Sequence, residues 1–451
     1  PAGPNIEGES AVLMDAVTDT VLYSKNADNK LYPASITKIM TALLVCENLD
    51  MNDSLTMSEA AAYGIEAGSS TIYAETGEVF TVEQAVMALM LESANEMALA
   101  LAEKTSGSVK KFVELMNQRA AQLGCKHTHF NNPNGLHDEK HYTTASDMMK
   151  IAKAAWYNPL FRKFVTTQTY EIPPTNKQPE TRYLLNHHKM LAGQSYAYDG
   201  VLGGKTGYTD QAKTTLVTMA DNADMQLVAV VLEDQGDVYV DTRAMFDYVY
   251  ANFSKVFLNE HDKPDGVRKF KTEDAYVVLP KGIDVSSLEH EITITDRQNA
   301  AGKLTYLYKG QNVGTVEVKL TADYIKEETG YNIEPEMKSV GKKSTDKEEK
   351  TEMPIYVKLL IAVVLLVIIL LAVLFSLLKY RQVKRRRARQ LARKRKKALE
   401  RRRSNTEQTG ENAFRRQSSA GRRKNTQIRN RQVDDRRSGS YRRRDREGRY
   451  R

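Results

Sequence analysis

The sequence predicts an α+β protein, in which an antiparallel sheet flanked by helices is followed by a small all-β domain, one transmembrane helix and a disordered basic tail. Three patterns predict this order. Strand-like runs enclose a helix-rich middle in residues 1–258, and short alternating runs separated by Gly, Pro and Asp occupy residues 259–334. A long apolar stretch then precedes a basic C-terminal region.

Strand pairs begin and end the N-terminal domain. Each pair consists of two β-rich apolar runs separated by a polar turn, which is the pattern of an antiparallel hairpin. The four predicted strands are residues 10–15, 20–24, 215–219 and 225–232. We therefore expect one antiparallel sheet built from both ends of this domain.

Helical patterns lie between and after the strand pairs. Residues 109–123 have Ser108 as a candidate N-cap and Gly124 as a candidate C′ residue. Residues 238–253 form the last amphipathic pattern, so we expect a helix there that packs on the sheet and closes the domain.

The second domain is predicted from alternation alone. Its apolar and polar residues alternate with a period of two, which is typical of half-buried strands. The runs are residues 275–279, 291–295, 303–308 and 314–320. We expect a small all-β unit without helices.

Residues 359–378 form the strongest single feature of the chain, because all of them are apolar except Ser376. At about 1.5 Å rise per residue, a helix of about 20 residues crosses a hydrocarbon core of about 30 Å. We predict a transmembrane helix over residues 354–378, preceded by a charged extracytoplasmic linker at 335–353. Basic residues crowd its C-terminal side, so the positive-inside rule predicts a single-pass membrane protein with residues 379–451 in the cytoplasm.

The N-terminal domain is then extracytoplasmic and must be exported. The chain starts with Pro1 and Ala2 rather than Met, and no apolar leader is visible. We expect that a cleaved signal peptide is missing from this chain.

The composition of the basic tail predicts that it binds a different kind of partner than the preceding residues bind. Residues 379–451 contain 30 Lys and Arg against 7 Asp and Glu, a net charge of +23, so the preceding residues carry −14 of the total of +9. A basic segment next to a span favours anionic membrane lipids, with a cytoplasmic protein partner as the alternative. Nucleic acid is disfavoured, because the tail has few aromatic residues to stack on bases.

Cysteine and histidine residues predict neither a disulfide scaffold nor a metal site. The two cysteines, Cys46 and Cys125, either pair or remain as two free thiols, and their spacing does not decide between these. A histidine cluster surrounds the Asn-rich turn at 131–135, but no metal-binding spacing accompanies it. Its members are His127, His129, His137 and His141. No metal or cofactor is predicted.

Ser35 and Lys38 are the first candidates for chemistry, in the motif Ser35-Ile-Thr-Lys38. They stand three apart at the start of an apolar helical run, so one helical turn brings both side chains onto one face. A serine hydroxyl needs a neighbour that removes its proton, and a lysine can do this when burial and a nearby cation lower its pKa. Alone, the motif is weak, since it also fits a helix N-cap with a solvated lysine.

Two further motifs follow in order. Ser93-Ala-Asn95 lies between two helical runs, and Lys205-Thr-Gly207 lies in a predicted strand. The ordered trio S-x-x-K, S-x-N and K-T-G is typical of penicillin-binding proteins and class A β-lactamases. It predicts acyl transfer with Ser35 as the nucleophile.

The trio predicts which residue carries out each step in cleaving a peptide that ends in a free carboxylate. Ser35 attacks the carbonyl of the penultimate residue, and Lys38 accepts the hydroxyl proton. Ser93 and Lys205 pass that proton to the leaving amine, while Asn95 holds the substrate backbone.

The strand of the third motif is the predicted substrate-binding edge. Thr206 helps to bind the terminal carboxylate, and Gly207 lets the substrate lie against the strand as an added strand. The backbone N–H groups of Ser35 and Tyr208 are expected to hold the oxyanion. Thr209 completes the predicted substrate-binding residues.

The sequence resembles the low-molecular-mass penicillin-binding proteins of the serine-type D-alanyl-D-alanine carboxypeptidase family. The resemblance covers residues 8–255. It is carried by Tyr-Pro-Ala-Ser-Ile-Thr-Lys-Ile-Met-Thr-Ala-Leu at 32–43, Leu-Glu-Ser-Ala-Asn at 91–95, Thr-His-Phe-Asn-Asn-Pro-Asn-Gly-Leu at 128–136 and Gly-Lys-Thr-Gly-Tyr-Thr at 204–209. It implies a fold like that of serine β-lactamases and penicillin-binding transpeptidases, removal of the terminal D-alanine from peptidoglycan stem peptides, and covalent inhibition by β-lactams. The residues after 260 resemble the stalk domain of that family less specifically.

The chain also departs from the family pattern. Many members have Asp where this chain has Glu96, and Ala-Gly where it has Ala212-Lys213. Familiar members often end in an amphipathic surface helix, whereas this chain has an apolar span and a long basic tail. Arg243 could help to bind a carboxylate, but an ordinary surface arginine is the preferred interpretation.

Three other functions remain as alternatives. A class A β-lactamase would need a deacylating Glu in an E-x-x-L-N segment, and the nearest match, from Glu180 to Asn186, has the wrong spacing. A DD-transpeptidase forms the same acyl-enzyme and differs only in the acceptor that reacts with it, which is an amine instead of water. An inactive cell-wall-binding scaffold is disfavoured, because all three motifs are intact.

Overall fold

The described strands form a central sheet, two separate two-stranded pairs and a C-terminal group. The computed structural model describes residues 3–222 and 225–332. The strands are β1 Ser10–Asp15, β2 Thr20–Lys25, β3 Ser54–Thr56, β4 Val79–Thr81, β5 Thr169–Ile172, β6 Arg182–Leu185, β7 Val201–Thr209, β8 Lys213–Asp221, β9 Gln226–Asp234, β10 Phe253–Phe257, β11 Val267–Phe270, β12 Tyr276–Pro280, β13 Glu289–Asp296, β14 Ala301–Tyr308 and β15 Gln311–Leu320.

Most of the helices lie between β2 and β9. The helices are α1 Lys38–Asn48, α2 Glu59–Tyr63, α3 Val82–Leu91, α4 Asn95–Ser106, α5 Val109–Gln122, α6 Ala145–Trp156, α7 Pro159–Val165, α8 Val238–Asn252 and α9 Ala322–Thr329. A 3-10 turn, Ala34–Thr37, leads directly into α1.

A five-stranded antiparallel sheet forms the centre of the molecule, with the strand order β2-β1-β9-β8-β7. Both predicted hairpins are present, because β1 pairs with β2 and β8 pairs with β9. The two hairpins are joined by the pairing of β1 with β9, so the N-terminal strands complete a sheet that the later strands begin. This leaves β7 as an edge strand within the described part of the chain.

Helices cover both faces of this sheet, which explains why its inner strands are apolar on both sides. Val12 of β1 lies in a core with the helices from α1 to α7. Leu13, on the opposite face, lies in a second core with Phe246 of α8. Every residue of β1 is buried, as expected for a strand between two layers of helices.

Local signals placed several helix ends correctly. Ser108 accepts a hydrogen bond from the backbone N–H of Lys111 at 3.2 Å, and Gly124 has a positive φ of 75° just beyond α5. The predicted closing helix is present but ends at Asn252, one residue early. Phe253 instead begins β10, which pairs with β12. An apolar residue extends a helical pattern and a strand equally well, so the sequence pattern missed this change.

The residues after α8 form more strands, in a four-stranded sheet of order β11-β15-β14-β13 and the β10-β12 pair. This region is not purely β, because Thr321 caps the helix α9 by accepting from the N–H of Tyr324. The hydroxyl of Tyr276 donates to the buried carboxylate of Asp15 at 3.2 Å, which links β12 to the central sheet. The proposed domain boundary at residue 258 stays a prediction.

The predicted linker, transmembrane helix and basic tail, residues 335–451, lie outside the described residues. Within residues 3–222 and 225–332, none of the helices has both the length and the apolar character that crossing a bilayer requires.

The packing of α8 on the sheet generates a stability prediction. The Phe246 ring is fully buried, whereas Val240 on the same helix is 54% exposed. We expect Phe246→Ala to lower the free energy of unfolding by about 3–5 kcal/mol, because it removes apolar contacts and leaves a cavity. Val240→Ala, the matched control, should change it by less than about 0.5 kcal/mol. Urea unfolding followed by circular dichroism measures both, and equal effects would contradict the packing described here.

Candidate active site

Ser35 lies in the 3-10 turn that precedes α1, and Lys38 is the first residue of that helix. The distance between Ser35 Oγ and Lys38 Nζ is 3.0 Å. The predicted contact between these two side chains is therefore present. The turn is tight, since Ala34 has a positive φ of 50°.

A second turn, at residues 131–136, packs against the turn that contains Ser35, here called the nucleophile turn. Gly135 has a φ of 86°, and a side chain there would overlap the carbonyl oxygen of Ala34. The hydroxyl of Thr41 in α1 donates to the carbonyl of Pro133 at 2.6 Å. Glycine is required at residue 135 both for its backbone conformation and for this close approach.

The Lys38 amine is completely buried. Its Nζ lies 2.7 Å from Asn95 Oδ1 and 2.6 Å from the carbonyl oxygen of Asn134, in addition to Ser35 Oγ. Burial, and then the charge of Lys205, hold the pKa of Lys38 well below its usual range, while Glu96 raises it. A neutral amine donates two hydrogens and keeps one lone pair, so it can donate to Asn95 and Asn134 and accept the Ser35 hydroxyl proton.

Ser93 and Asn95 come from the short connection between α3 and α4. Ser93 has a positive φ of 58°, and Asn95 is the first residue of α4. Among the described residues, the buried Ser93 Oγ has no hydrogen-bond partner. An unsatisfied buried hydroxyl in a cleft is available to a ligand.

The third motif lies on β7, which is the edge strand of the central sheet. Burial lowers the pKa of Lys205 to about 7, so this amine can gain or lose a proton near neutral pH. Its Nζ donates to the Thr206 carbonyl at 3.0 Å. A Cβ atom on Gly207 would lie only 2.8 Å from the backbone nitrogen of Ser35. The missing side chain therefore brings the strand and the nucleophile turn together.

These elements enclose a cleft of about 670 Å³. The predicted site residues that line it are Ser35, Ser93, Asn95, Thr206, Gly207, Tyr208 and Thr209. Lys38 and Lys205 are buried. The structure thus brings all nine predicted site residues to one place, although their individual roles remain predictions.

Sequence reasoning missed some of the residues that build the site. The carbonyl of Asn134 contacts Lys38, but a backbone carbonyl has no residue-type signature that a motif search could find. Gly68, Ser70 and Leu136 line the cleft without belonging to any of the three motifs. The signal for this turn in the sequence is the segment 128–136, which carries part of the family resemblance.

Among the histidines, His141 forms hydrogen bonds to two segments next to the active site. Its Nδ1 accepts from the backbone N–H of Asn131 at 2.9 Å, and its Nε2 lies 2.8 Å from Thr37 Oγ1. Burial lowers the pKa of His141 to about 3, so the ring is neutral and donates to Thr37. In the described part of the chain, no group of three or more potential ligands is arranged to hold a metal ion.

The remaining residues singled out in the sequence, two cysteines and an arginine, do not line the cleft. Cys46 and Cys125 are both free thiols, and burial raises the pKa of each to about 12. Arg243 donates to the carbonyls of Tyr196 and Ala197, at 3.1 and 3.0 Å. It is not among the residues that line the cleft, which favours a role in holding residues 196–197 over carboxylate binding.

Comparison with known proteins gives the same assignment. A family model described as D-alanyl-D-alanine carboxypeptidase matches residues 1–236. The D-alanyl-D-alanine carboxypeptidase DacF of Bacillus subtilis is 34% identical over 339 residues, which cover 71% of this chain and 84% of that protein.

Solved structures with this fold also match. Penicillin binding protein 5 from Haemophilus influenzae is 26% identical with a TM-score of 0.58, over 71% of this chain and 98% of that one. A Streptomyces DD-transpeptidase is 31% identical with a TM-score of 0.52, over 56% of this chain and 100% of that one. Since the family model matches more than half of the residues, the chain belongs to the D-alanyl-D-alanine carboxypeptidase family of serine-type, low-molecular-mass penicillin-binding proteins.

Proposed function

We propose that this serine D-Ala-D-Ala carboxypeptidase removes the terminal D-alanine from peptidoglycan stem peptides through an acyl-enzyme on Ser35. The observation that carries the proposal is the distance of 3.0 Å between Ser35 Oγ and the buried Lys38 amine, beside an open strand edge. A nucleophile within hydrogen-bond reach of a base is the geometry that covalent catalysis requires.

Acylation begins with the neutral form of Lys38. Ser35 Oγ attacks the carbonyl carbon of the penultimate D-alanine as its proton moves to Lys38 Nζ. The resulting ammonium has three hydrogens, and three oxygen atoms surround it, from Ser35, Asn95 and Asn134. The proposed oxyanion donors are the backbone N–H groups of Ser35, in the nucleophile turn, and of Tyr208, on β7.

Departure of D-alanine needs a proton on its nitrogen. Ser93 Oγ lies in the cleft, and a pKa of about 7 allows Lys205 to act as a proton donor near neutral pH. The positive charge of Lys205 and the hydroxyls of Thr206 and Thr209 suit the terminal carboxylate of the substrate. Water then attacks the acyl-enzyme carbonyl and gives up a proton to Lys205, while Lys38 returns its proton to Ser35 Oγ as the ester bond breaks.

The same arrangement supports covalent inhibition by β-lactams, which place a strained amide carbonyl where the peptide carbonyl would lie. A second candidate function is DD-transpeptidation, in which an amine replaces water as the acceptor. One of the similar structures is described as a DD-transpeptidase, and the chemistry up to the acyl-enzyme is identical. An inactive scaffold fits less well, because it would not need a buried, neutralisable lysine at Ser35.

The first prediction concerns Ser35. We expect Ser35→Ala to abolish covalent labelling by a fluorescent penicillin, because no other hydroxyl replaces the nucleophile, and to lower D-alanine release from a pentapeptide by roughly 10⁴-fold or more. Ser69→Ala is the matched control, since Ser69 lines the cleft and its hydroxyl donates to the Glu66 carbonyl. Unchanged labelling in Ser35→Ala would contradict the proposal.

An acceptor test separates the two acyl transfers. Because D-alanine leaves before either acceptor reacts, the two are told apart by the peptide product: free tetrapeptide that still forms when a D-amino acid is added indicates hydrolysis. Transfer of the peptide to that amine, with little free tetrapeptide, would instead establish the transpeptidase function. No labelling of the parent protein would favour the scaffold.

The second prediction concerns Gly207. A methyl group in Gly207→Ala would lie 2.4 Å from the Thr215 hydroxyl oxygen and 2.8 Å from the backbone nitrogen of Ser35, which is a proposed oxyanion donor. Because losing one such donor costs about 10²–10³-fold, we expect a fall of that order in the acylation rate. Stopped-flow labelling measures the rate, and a thermal melt of the same variant shows whether it is folded. A folded Gly207→Ala that acylates as fast as the parent would refute this position for the oxyanion.

We also propose that residues 359–378 anchor the protein in the cell membrane, with the catalytic residues outside and residues 379–451 inside. The support is the apolar character of residues 359–378 and the net charge of +23 of residues 379–451. That positive charge also suits binding to anionic lipids or to a cytoplasmic protein partner. We expect the full chain to sediment with membranes and a chain ending at residue 353 to remain soluble. Penicillin labelling of the membrane and soluble fractions shows where each protein is found. A full chain that stays in the soluble fraction would contradict the proposed membrane anchor.

A further inference from the structure

Lys189 is a cation of the active-site cleft that none of the catalytic steps uses. It lies between β6 and β7, it is exposed to solvent, and it lines the same cleft as Ser35 and Thr206. Its Nζ lies 5.8 Å from the centre of the Tyr239 ring, whose face attracts positive charge. Within residues 3–222 and 225–332, this nitrogen makes neither a hydrogen bond nor an ion pair.

The other charged or titratable groups in the lining of the cleft, apart from the tyrosines, have partners. Glu92 Oε2 lies 2.8 Å from His187 Nε2, so these two side chains satisfy each other. Asp237 accepts from the Tyr196 hydroxyl and caps the start of α8. Among the described residues, Lys189 therefore carries the unpaired charge of the cleft lining. A substrate anion is the kind of group that such a charge binds.

Packing places Lys189 at the end of the cleft where β7 carries Lys205. A Cβ atom on Gly204 would lie 2.7 Å from the ring of His188, so the segment that contains His188 packs directly against β7. His188 is itself buried, and its Nε2 lies 2.9 Å from Thr218 Oγ1 on the neighbouring strand β8. Lys189 is the next residue, so its backbone is fixed beside the start of the K-T-G motif.

The neighbouring loop also holds this backbone. The backbone N–H of Tyr196 donates to the carbonyl of Lys189 at 3.0 Å. Tyr196 stacks on Tyr239 with ring centres 5.0 Å apart, and Arg243 donates to the carbonyl of Tyr196 at 3.1 Å. The flexible four-carbon side chain of Lys189 is thus carried by a fixed backbone, and it can adjust to a ligand without rearrangement of the fold.

The terminal carboxylate needs a positive charge that does not change during the reaction. In the proposed function, Lys205 lies at the carboxylate end of the cleft but also supplies a proton to the leaving amine. An amine that has given up its proton no longer attracts an anion. Lys189 takes no part in the proton transfers, so its charge is the same before and after cleavage.

We propose that Lys189 is a substrate-binding residue that pairs with the terminal carboxylate of the stem peptide, next to the Thr206 hydroxyl. The proposal rests on the proposed function, because the carboxylate belongs to the substrate that Ser35 cleaves. It deepens that function by naming the residue through which the enzyme selects a free C-terminus. Arg243 does not compete for this role, since it donates to two backbone carbonyls and does not line the cleft.

Four variants separate the charge of Lys189 from any structural role. Lys189→Gln removes the charge and keeps a polar side chain, and Lys189→Glu reverses the charge. Lys189→Arg keeps the charge and is the conservative variant. Lys126→Gln is the matched control, because Lys126 is also exposed but does not line the cleft, and its loss changes the net charge of the protein by the same amount.

The experiment compares two pentapeptides, one ending in D-Ala-D-Ala with a free carboxylate and one ending in the corresponding amide. Release of the last residue gives kcat and KM for each, and the parent should prefer the acid. In Lys189→Gln we expect kcat/KM for the acid to fall about tenfold, mainly through KM, because loss of a charge-assisted contact in a solvated cleft has an effect of that order. The value for the amide should stay within about twofold of the parent.

The other variants should follow the charge. Lys189→Glu should lower the preference for the acid further, because it places a negative charge next to the carboxylate. Lys189→Arg should keep most of the preference, and Lys126→Gln should behave as the parent. If the amide reacts too slowly to measure, labelling rates with a fluorescent penicillin and with its methyl ester make the same comparison.

Several outcomes would overturn the proposal. One is a parent protein that cleaves the acid and the amide equally well. Another is an unchanged preference for the acid in Lys189→Gln or Lys189→Glu. Equal losses on both peptides would also overturn it, because a purely structural residue affects the two alike, and a thermal melt of each variant shows whether it is folded. A parent protein without labelling at Ser35 would refute the proposed function itself, which distinguishes the two failures.

Discussion

The buried amine of Lys38 is the constraint on which the rest of the site depends. An amine removed from water must find acceptors within the protein, or its burial is costly. Its acceptors come from three places that are distant in sequence, namely the turn before α1, the start of α4 and the carbonyl of Asn134. The fold of the N-terminal part can be understood as the arrangement that brings these three oxygens to one nitrogen.

The central sheet contributes the opposite wall. Its order places β7 at the edge, so the strand that carries Lys205 has one side without a strand partner in the described structure. Gly207 allows this edge to approach the nucleophile turn, while the helices on both faces hold the sheet rigid. Acyl transfer needs this rigidity, because the nucleophile, base and oxyanion donors must keep their relative positions throughout the reaction.

Local signals in the sequence predicted much of this arrangement, and contacts between distant segments account for the rest. The hairpins, the Ser108 cap and the three motifs depend on residue type and short spacing, so they could be found without coordinates. The Asn134 carbonyl and the buried environment of Glu96 depend on which segments meet, and no residue pattern records this. The helix end at Asn252 and the helix α9 were missed because apolar periodicity over few residues does not distinguish helix from strand.

An open sheet edge has a further consequence for the protein in solution. Unpaired edge strands can join the strands of other molecules, and such pairing leads to aggregation. Here β7 contributes Thr206, Gly207, Tyr208 and Thr209 to the lining of a cleft that Gly68, Ser70 and Leu136 also line. The same walls that enclose the substrate therefore stand beside the open edge, and pairing of this edge with another sheet would have to displace them.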